Sequence, residues 1–406
     1  MNVALTFVTK LIPMKKTALG ICVLASITFT ACKKDKKEDE TSTDQYAQQK
    51  TDIKKTYADM AFAVYKDSYT SAVTLQTACH TFADNPSQVN LDAAKQAWLD
   101  AREIYGLTEV FRFVDGPIDN TNDGPEGLIN AWPMDENYVD YVVGEPNAGI
   151  INDVANYPAI DASTIVQANE FGGETKISSG YHAIEFLLWG QDLSAASAGQ
   201  RPYTDYVVGG GGTAANQARR ATYLKTVVDL LVSALAQVKN DWDPAIAGSY
   251  YFTFQELDNQ TALRKMFNSM RVLAGDELAG ERIYVAYENQ NQEDEHSCFS
   301  DNTHRDIYLN AMAVENLYKG NYASPFGNNI NGYSLEDLVG TIDAAKNTTV
   351  TARFAATMGY IAAMYHPFDQ AIVLPAERPK VLDVVTSLQQ EQADLDAAAA
   401  VFAITF

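Results

Sequence analysis

His182 and Glu185 stand three residues apart in the stretch SSGYHAIEFLLWGQD (Ser178–Asp192). On a helix that spacing points both side chains the same way, so they can share one metal ion or one hydrogen-bonded partner. The helix expected from Ser179 to about Trp189 is otherwise apolar. Ala183, Ile184 and Leu187 cover one side, Phe186 and Trp189 the other. A helix apolar on every face is a buried one, and a buried polar group left unsatisfied costs roughly 1–3 kcal/mol. Ile184, Phe186, Leu188 and Trp189 offer no partner, so the expectation is that His182 and Glu185 face across a seam toward another element. The alternative is a core histidine, with Glu185 paired to Arg102 or Arg112. Two ligands do not close a metal site. The HExxH pattern is absent, and so is its inverse, because Phe186 stands where the second His would be. In a peptidase reading, Glu185 would be the residue that activates water.

Further candidates lie in NQEDEHSCFSDNTHRD (Asn291–Asp306), where Glu293, Asp294, Glu295, His296, Asp301, His304 and Asp306 gather before a helix. Most of these read as a polar turn with Asn302 or Ser300 as N-cap. The histidines stand out, because the chain has only 5. A third group is the stripe Trp98, Arg102, Tyr105, Glu109 and Arg112, which interleaves aromatics with charges. It reads as the wall of a polar cavity or seam, with a half-exposed ion-pair face as the alternative. The DNTNDG segment from Asp119 imitates a calcium loop but has Asn130 where the bidentate Glu belongs. The run Gly209–Gly212 lacks the Lys-Ser/Thr of a phosphate loop.

The elements that must position these residues are helices. Residues 45–85, 89–113, 179–189 and 214–242 read as helical, and four long helices within 45–245 predict a four-helix bundle. Between 114 and 176 the helical period gives way to a long stretch dense in Gly, Pro, Asn and Asp, the kind of insertion that is usually functional. The second half repeats the theme, with helices near 256–290, 302–318, 334–346, 349–365 and 380–402, and no strand run with convincing alternation. The expected fold is all-α, two helical bundles in tandem, 45–245 and 246–406.

Residues 1–31 read as an export signal. Lys15 and Lys16 precede a short apolar run that closes on Phe29-Thr30-Ala31-Cys32, a lipobox-like ending that marks Cys32 for lipidation; the run is too short to span a bilayer. Residues 32–44 form a charged tether, and no other segment reads as long and apolar enough to span. The net charge of −22 argues against nucleic acid and anionic lipid as partners. Removing residues 1–31 leaves 27 basic and 52 acidic residues, a net charge of −25. Cys79 and Cys298 are expected to remain as two buried thiols, since one possible pair is not a disulfide framework.

The segment GYHAIEFLLWGQD resembles the G-x-H-x-x-E signature of the imelysin family, with Gly180, His182 and Glu185 in its fixed places. WLDAREIYGLTEVFRFVDGPID, INAWPMDE, NQARRATYL and HSCFSDNTHRDI are also similar to that family's pattern, in its order, over roughly residues 45–400. The resemblance implies two pseudo-symmetric bundles with a site in the cleft between them. It also implies an envelope protein, often iron-regulated, of a family filed with the metallopeptidases. Carried over by position, His182 and Glu185 would be metal ligands, walled by Glu109, Arg112, Asp301 and His304. The expected function is capture of iron, rather than zinc, or of a metal complex such as haem, by an outer-membrane lipoprotein working with envelope iron-uptake partners. His with carboxylates suits iron, whereas a softer metal would want thiolates.

Overall fold

The computed structural model describes residues 44–406, and residues 45–406 fold as one compact unit. The signal, the tether and Cys32 lie outside the described residues. The fold is all-α. A 38-residue helix, α1 (Ala47–Asp84), lies against α2 (Gln88–Tyr105) and, further along the chain, α8 (Gln217–Asp241). The insertion between them contains only short helices: α3 (Glu126–Ile129), α4 (Glu136–Val139), α5 (Gly149–Asn152) and α6 (Ala162–Ala168). Between α2 and α8 sits α7 (Gly180–Trp189).

The second half begins with α9 (Tyr250–Glu256) and α10 (Asn259–Arg271). From Val272 to Tyr284 the chain is wound as a π-helix, which runs on into α11 (Val285–Asn289). The single long helix expected over 256–290 is therefore one rod with a widened middle. After α12 (Thr303–Lys319) come α13 (Leu335–Ile342), α14 (Ala344–Ala363), α15 (Phe368–Val373) and α16 (Arg378–Ala399). α16 packs on α10, the π segment and α14, while α12 packs on the π segment, α13 and α14. The two groups of helices are joined where α1 meets α9 and α10, and where α12 meets α2.

Three local departures from expectation have plain causes. The second helix stops at Tyr105 instead of running to 113. Gly106 follows it, and a Cβ there would lie 2.8 Å from Leu309 Cβ of α12, so the glycine admits the crossing helix. The chain then turns through a 3-10 segment, Glu109–Phe111, with left-handed backbone at Phe113 and Asp115. A two-stranded ribbon, Asn321–Tyr322 against Ile330–Asn331, escapes the strand reading because two residues cannot show an alternation. Finally, the 25-residue α8 contains an 18-residue stretch apolar enough to span a membrane. It is nevertheless a core helix, with Leu224, Val227, Val228, Leu231 and Leu235 buried. Cys79 and Cys298 are both free and buried.

Candidate functional site

All ten residues of α7 are buried, which follows from the helix being apolar on every face. Three hydrogen bonds from neighbouring elements fix its position. Trp98 Nε1 of α2 donates to Tyr181 O at 2.9 Å. Tyr223 OH of α8 donates to Ser178 O at 2.7 Å, and Tyr206 OH to Leu187 O at 2.7 Å. The helix enters through Gly180, whose φ of +85° and contact with Ile129 leave no room for a side chain; a Cβ would lie 2.6 Å from Ile129 O.

His182 finds its partner on its own helix, where the sequence reading expected none. Its Nδ1 lies 3.1 Å from Glu185 Oε2, and its Nε2, fully buried, has no partner. The other oxygen of Glu185, Oε1, accepts from the Ser300 backbone N–H at 2.9 Å and the Ser300 hydroxyl at 2.6 Å. Burial, reinforced by Arg102, lowers the His182 pKa to about 3, so the imidazole is neutral. Burial raises that of Glu185 to about 8, against the pull of the Ser300 hydrogen bonds. Arg102 and Arg112, the arginines considered for Glu185, pair elsewhere.

Arg102 belongs to a second buried chain. Its guanidinium lies 5.2–5.7 Å from the ring centres of Trp98, Tyr105 and Tyr181, and its Nη2 is 3.0 Å from Asp306 Oδ1. Asp306 Oδ2 accepts from Ser297 Oγ at 2.5 Å and meets His296 Nδ1 at 2.8 Å. Burial would raise the Asp306 carboxyl, but Arg102 and the His296 and Ser297 hydrogen bonds hold it far below the usual carboxylate range. His296 presents its ring edge-on to His182 at 4.8 Å, and burial with the nearby Arg282 lowers its pKa to about 3. Two neutral imidazoles thus meet inside the protein.

Glu109 and Arg112 form the third group. Glu109 Oε2 accepts from Arg282 Nη2 of the π segment at 2.6 Å and from Arg112 Nη1 at 3.0 Å. These cations overcome burial and keep Glu109 ionised. Arg112 reaches on to Glu126 at 3.3 Å. Arg112, Arg282, Glu126, Asn130, Trp132 and His296 help line a cavity of about 120 Å³. A narrower void beside it, about 10 Å³, touches His182, His296, Trp132 and Cys298, room for about one water-sized probe.

The imelysin family model matches residues 61–395. The chain belongs to the imelysin family. A 136-residue stretch is 29% identical to iron-regulated protein A of Synechococcus elongatus (strain ATCC 33912 / PCC 7942 / FACHB-805), covering 33% of this chain and 35% of that protein. The chain thus matches about a third of that curated relative's length. Among solved structures, a Parabacteroides distasonis ATCC 8503 protein assigned as an iron-regulated protein A precursor superposes with a TM-score of 0.66 at 18% identity. An imelysin-like protein from Psychrobacter arcticum 273-4 gives 0.58 at 14%. Each comparison covers 87% of this chain and 97% of the other, and at these identities both speak for the fold.

In this imelysin the six residues carried over by resemblance divide. Arg112 lines the cavity and Glu109 pairs with it, while His182, bonded to Glu185, borders the adjoining void. The loop before α12 reaches Glu185 through Ser300 rather than through Asp301. Asp301 has left-handed backbone, φ 56°, and its side chain groups with Asp192 and Asp369. His304 stacks on His366 at 4.9 Å, and its Nδ1 meets Asp301 O at 3.1 Å. The residues that do join His182 are His296, Asp306, Ser300 and Arg282. His296 already stood out as one of the few histidines, Asp306 was not separable from its acidic neighbours, and Arg282 carried no signal.

Proposed function

We propose that this imelysin is a cell-envelope lipoprotein, anchored through Cys32, that binds iron or a small iron complex where His182 and His296 meet the polar cavity. The observation that carries the reading is the buried, partnerless Nε2 of His182. A buried imidazole nitrogen without a partner costs stability, and its placement beside a second neutral imidazole suits a ligand. In this arrangement His182 and His296 would hold the metal by their Nε2 atoms, with Glu185 and Asp306 on the Nδ1 sides. A carboxylate behind a ligating histidine fixes its tautomer and raises its basicity. With metal at His182 Nε2, Nδ1 would keep its proton and donate to an ionised Glu185, so binding would release the proton that Glu185 otherwise keeps up to about pH 8. Glu185 is thus better placed to orient His182 than to bind metal itself. Cys298 borders the void, but burial raises its thiol well above the ordinary range, so no thiolate competes for a softer metal.

Size narrows the ligand. Pockets for drug-sized molecules run to roughly 300–1,000 Å³, and the cavity here is about 120 Å³. An ion with its waters or a small chelate fits; a porphyrin does not. The name of the Synechococcus relative, iron-regulated protein A, supports iron over zinc. Isothermal titration of the purified protein with ferrous, ferric and zinc ions and with haemin tests the reading. The expected result is 1:1 iron binding, weakened at least tenfold in His182→Ala and in His296→Ala, and no haemin binding. Binding no tighter than roughly millimolar, or unchanged in both variants, overturns it. Chelator-sensitive cleavage of unfolded protein, lost in Glu185→Gln, would instead favour a peptidase.

A further inference from the structure

Outside the histidine site, three aspartates from separate elements converge. Asp192 follows α7, Asp301 sits in the turn before α12, and Asp369 belongs to α15; one carboxylate oxygen of each lies within 4.8 Å of the others. Oxygens bound to a single calcium ion at about 2.3–2.6 Å are never more than about 4.6–5.2 Å apart, so this spacing already satisfies a common ion. We propose that Asp192, Asp301 and Asp369, with Glu295 behind them, form a site for a hard divalent cation, calcium.

Acidic clusters on surfaces are common, and proximity alone would carry little. Here Asp301 is half-buried, and Asp192 and Asp369 are buried and unsatisfied. Asp192 is 4% exposed and Asp369 3%, and each keeps one carboxylate oxygen, Oδ2, with no partner. Each Oδ1 is used locally, by the Ser194 and Gln370 backbone N–H groups respectively. Glu295, 1% exposed, brings a fourth carboxylate whose Oε1 is also partnerless, and the charges that act on it are Asp369, Asp301 and Asp192. Among the described residues, no Lys or Arg is one of the leading influences on any of the four. Burial, reinforced by this mutual repulsion at Asp192, Asp301 and Glu295, raises all four carboxyls, Asp192 to about 6 and Asp301 to about 7. Buried anions need a counter-charge, and a cation provides it where no basic side chain does.

The donor set selects the ion. All the donors are carboxylate oxygens, from the segment after α7, the turn before α12 and the first turn of α15, an irregular set that suits calcium's 6–8 adaptable ligands better than the strict octahedron of magnesium. Bound there, the ion would clasp the segment after α7, the 291–302 loop and α15. That loop also carries His296 and Ser300, so the clasp would hold the loop that completes the histidine site. The proposal stands on its own carboxylates and does not need iron at His182.

The test is thermal unfolding of the full mature chain, stripped with EDTA and then titrated with calcium chloride, magnesium chloride or ferric citrate. Calcium at 10 mM should raise Tm by about 2–5 °C, given the roughly 0.1–1 mM affinities of extracellular calcium modules. Magnesium should do so less, and calorimetry should show one calcium per chain. Asp369→Asn and Asp192→Asn should each abolish the response while matching or exceeding the wild-type Tm in EDTA, since each removes a repelling charge. His182→Ala should keep the response. No calcium response in folded wild type overturns the proposal. So does a response that survives both aspartate variants, one lost in His182→Ala, or a site that takes ferric iron and refuses calcium.

Discussion

Arg102 and Asp306 are each 1% exposed and lie 3.0 Å apart. Their environment shows why a buried pair can be tolerated. The guanidinium is sandwiched by aromatic rings and bonded to Asn130, and the carboxylate also accepts from Ser297 and is bridged to His296. Removing one partner of such a pair typically costs about 3–5 kcal/mol, because the other is left buried and uncompensated. Arg102→Leu should lose about that much in urea unfolding, and adding Asp306→Leu should restore part of it. The same substitution frees His296 from Asp306's fixed orientation, so any metal binding should weaken with it. Arg102 was legible in the sequence as part of a charged and aromatic stripe, but its partner was not. A carboxylate some two hundred positions away leaves no local trace of its pairing.

At the scale of elements, α7 depends on how it is entered. Gly180 has positive φ and sits against the Ile129 carbonyl, so a side chain there is strained twice, by backbone conformation and by contact with rigid backbone. Gly180→Ala should destabilise by about 2–4 kcal/mol. It should also disturb the site, which a change in His182 proton resonances in a two-dimensional NMR spectrum would report. A variant with wild-type stability and unshifted resonances would contradict this account. The glycine of the G-x-H-x-x-E segment is thus explained by packing. The extent and burial of α7 were plain from its composition, since ten consecutive residues with so few polar groups have nowhere to go but the interior. The early end of α2 was not, because the pressure comes from Leu309 on a crossing helix.

For the molecule as a whole, buried titratable groups set a pH profile with two arms. His182 and His296 have folded pKa values near 3, below their unfolded value. Their contribution is present above about pH 6.5 and is lost as pH falls toward 3. Glu185, Glu391, Glu136 and Asp301 are raised by burial to about 8, 8, 7 and 7. Such acids cost nothing while protonated in both states, and their penalty accumulates as pH rises from about 4 to 8. Because the four acids outnumber the two histidines, stability in EDTA should be greatest near about pH 4–4.5 and fall on both sides, measured as Tm from pH 3 to 9. Glu391 gives a clean check on the upper arm, because it is 1% exposed and neither carboxylate oxygen has a partner. Glu391→Met should stabilise by about 3–5 kcal/mol at pH 8.5 and only about 1 kcal/mol near pH 5. A flat difference between the two would remove Glu391 from the explanation.

Periodicity and composition were enough to reveal the helices, the irregular stretch after α2, the burial of α7 and the two free thiols. Each of these follows from the character of residues adjacent in the chain. The G-x-H-x-x-E segment and its companion motifs pointed to the imelysin family for the same reason, since a motif is local. Tertiary structure alone decided which side chains share a site. It turned His182 onto Glu185, set His296 against it, sent Ser300 rather than Asp301 to Glu185, and gathered Asp192, Asp301 and Asp369 from three distant segments. The left-handed backbone at Asp301 and the crossing of α12 over α2 direct those side chains, and neither can be read from residue type. Burial then did to their proton affinities what no sequence pattern encodes, because desolvation is a property of the packed interior.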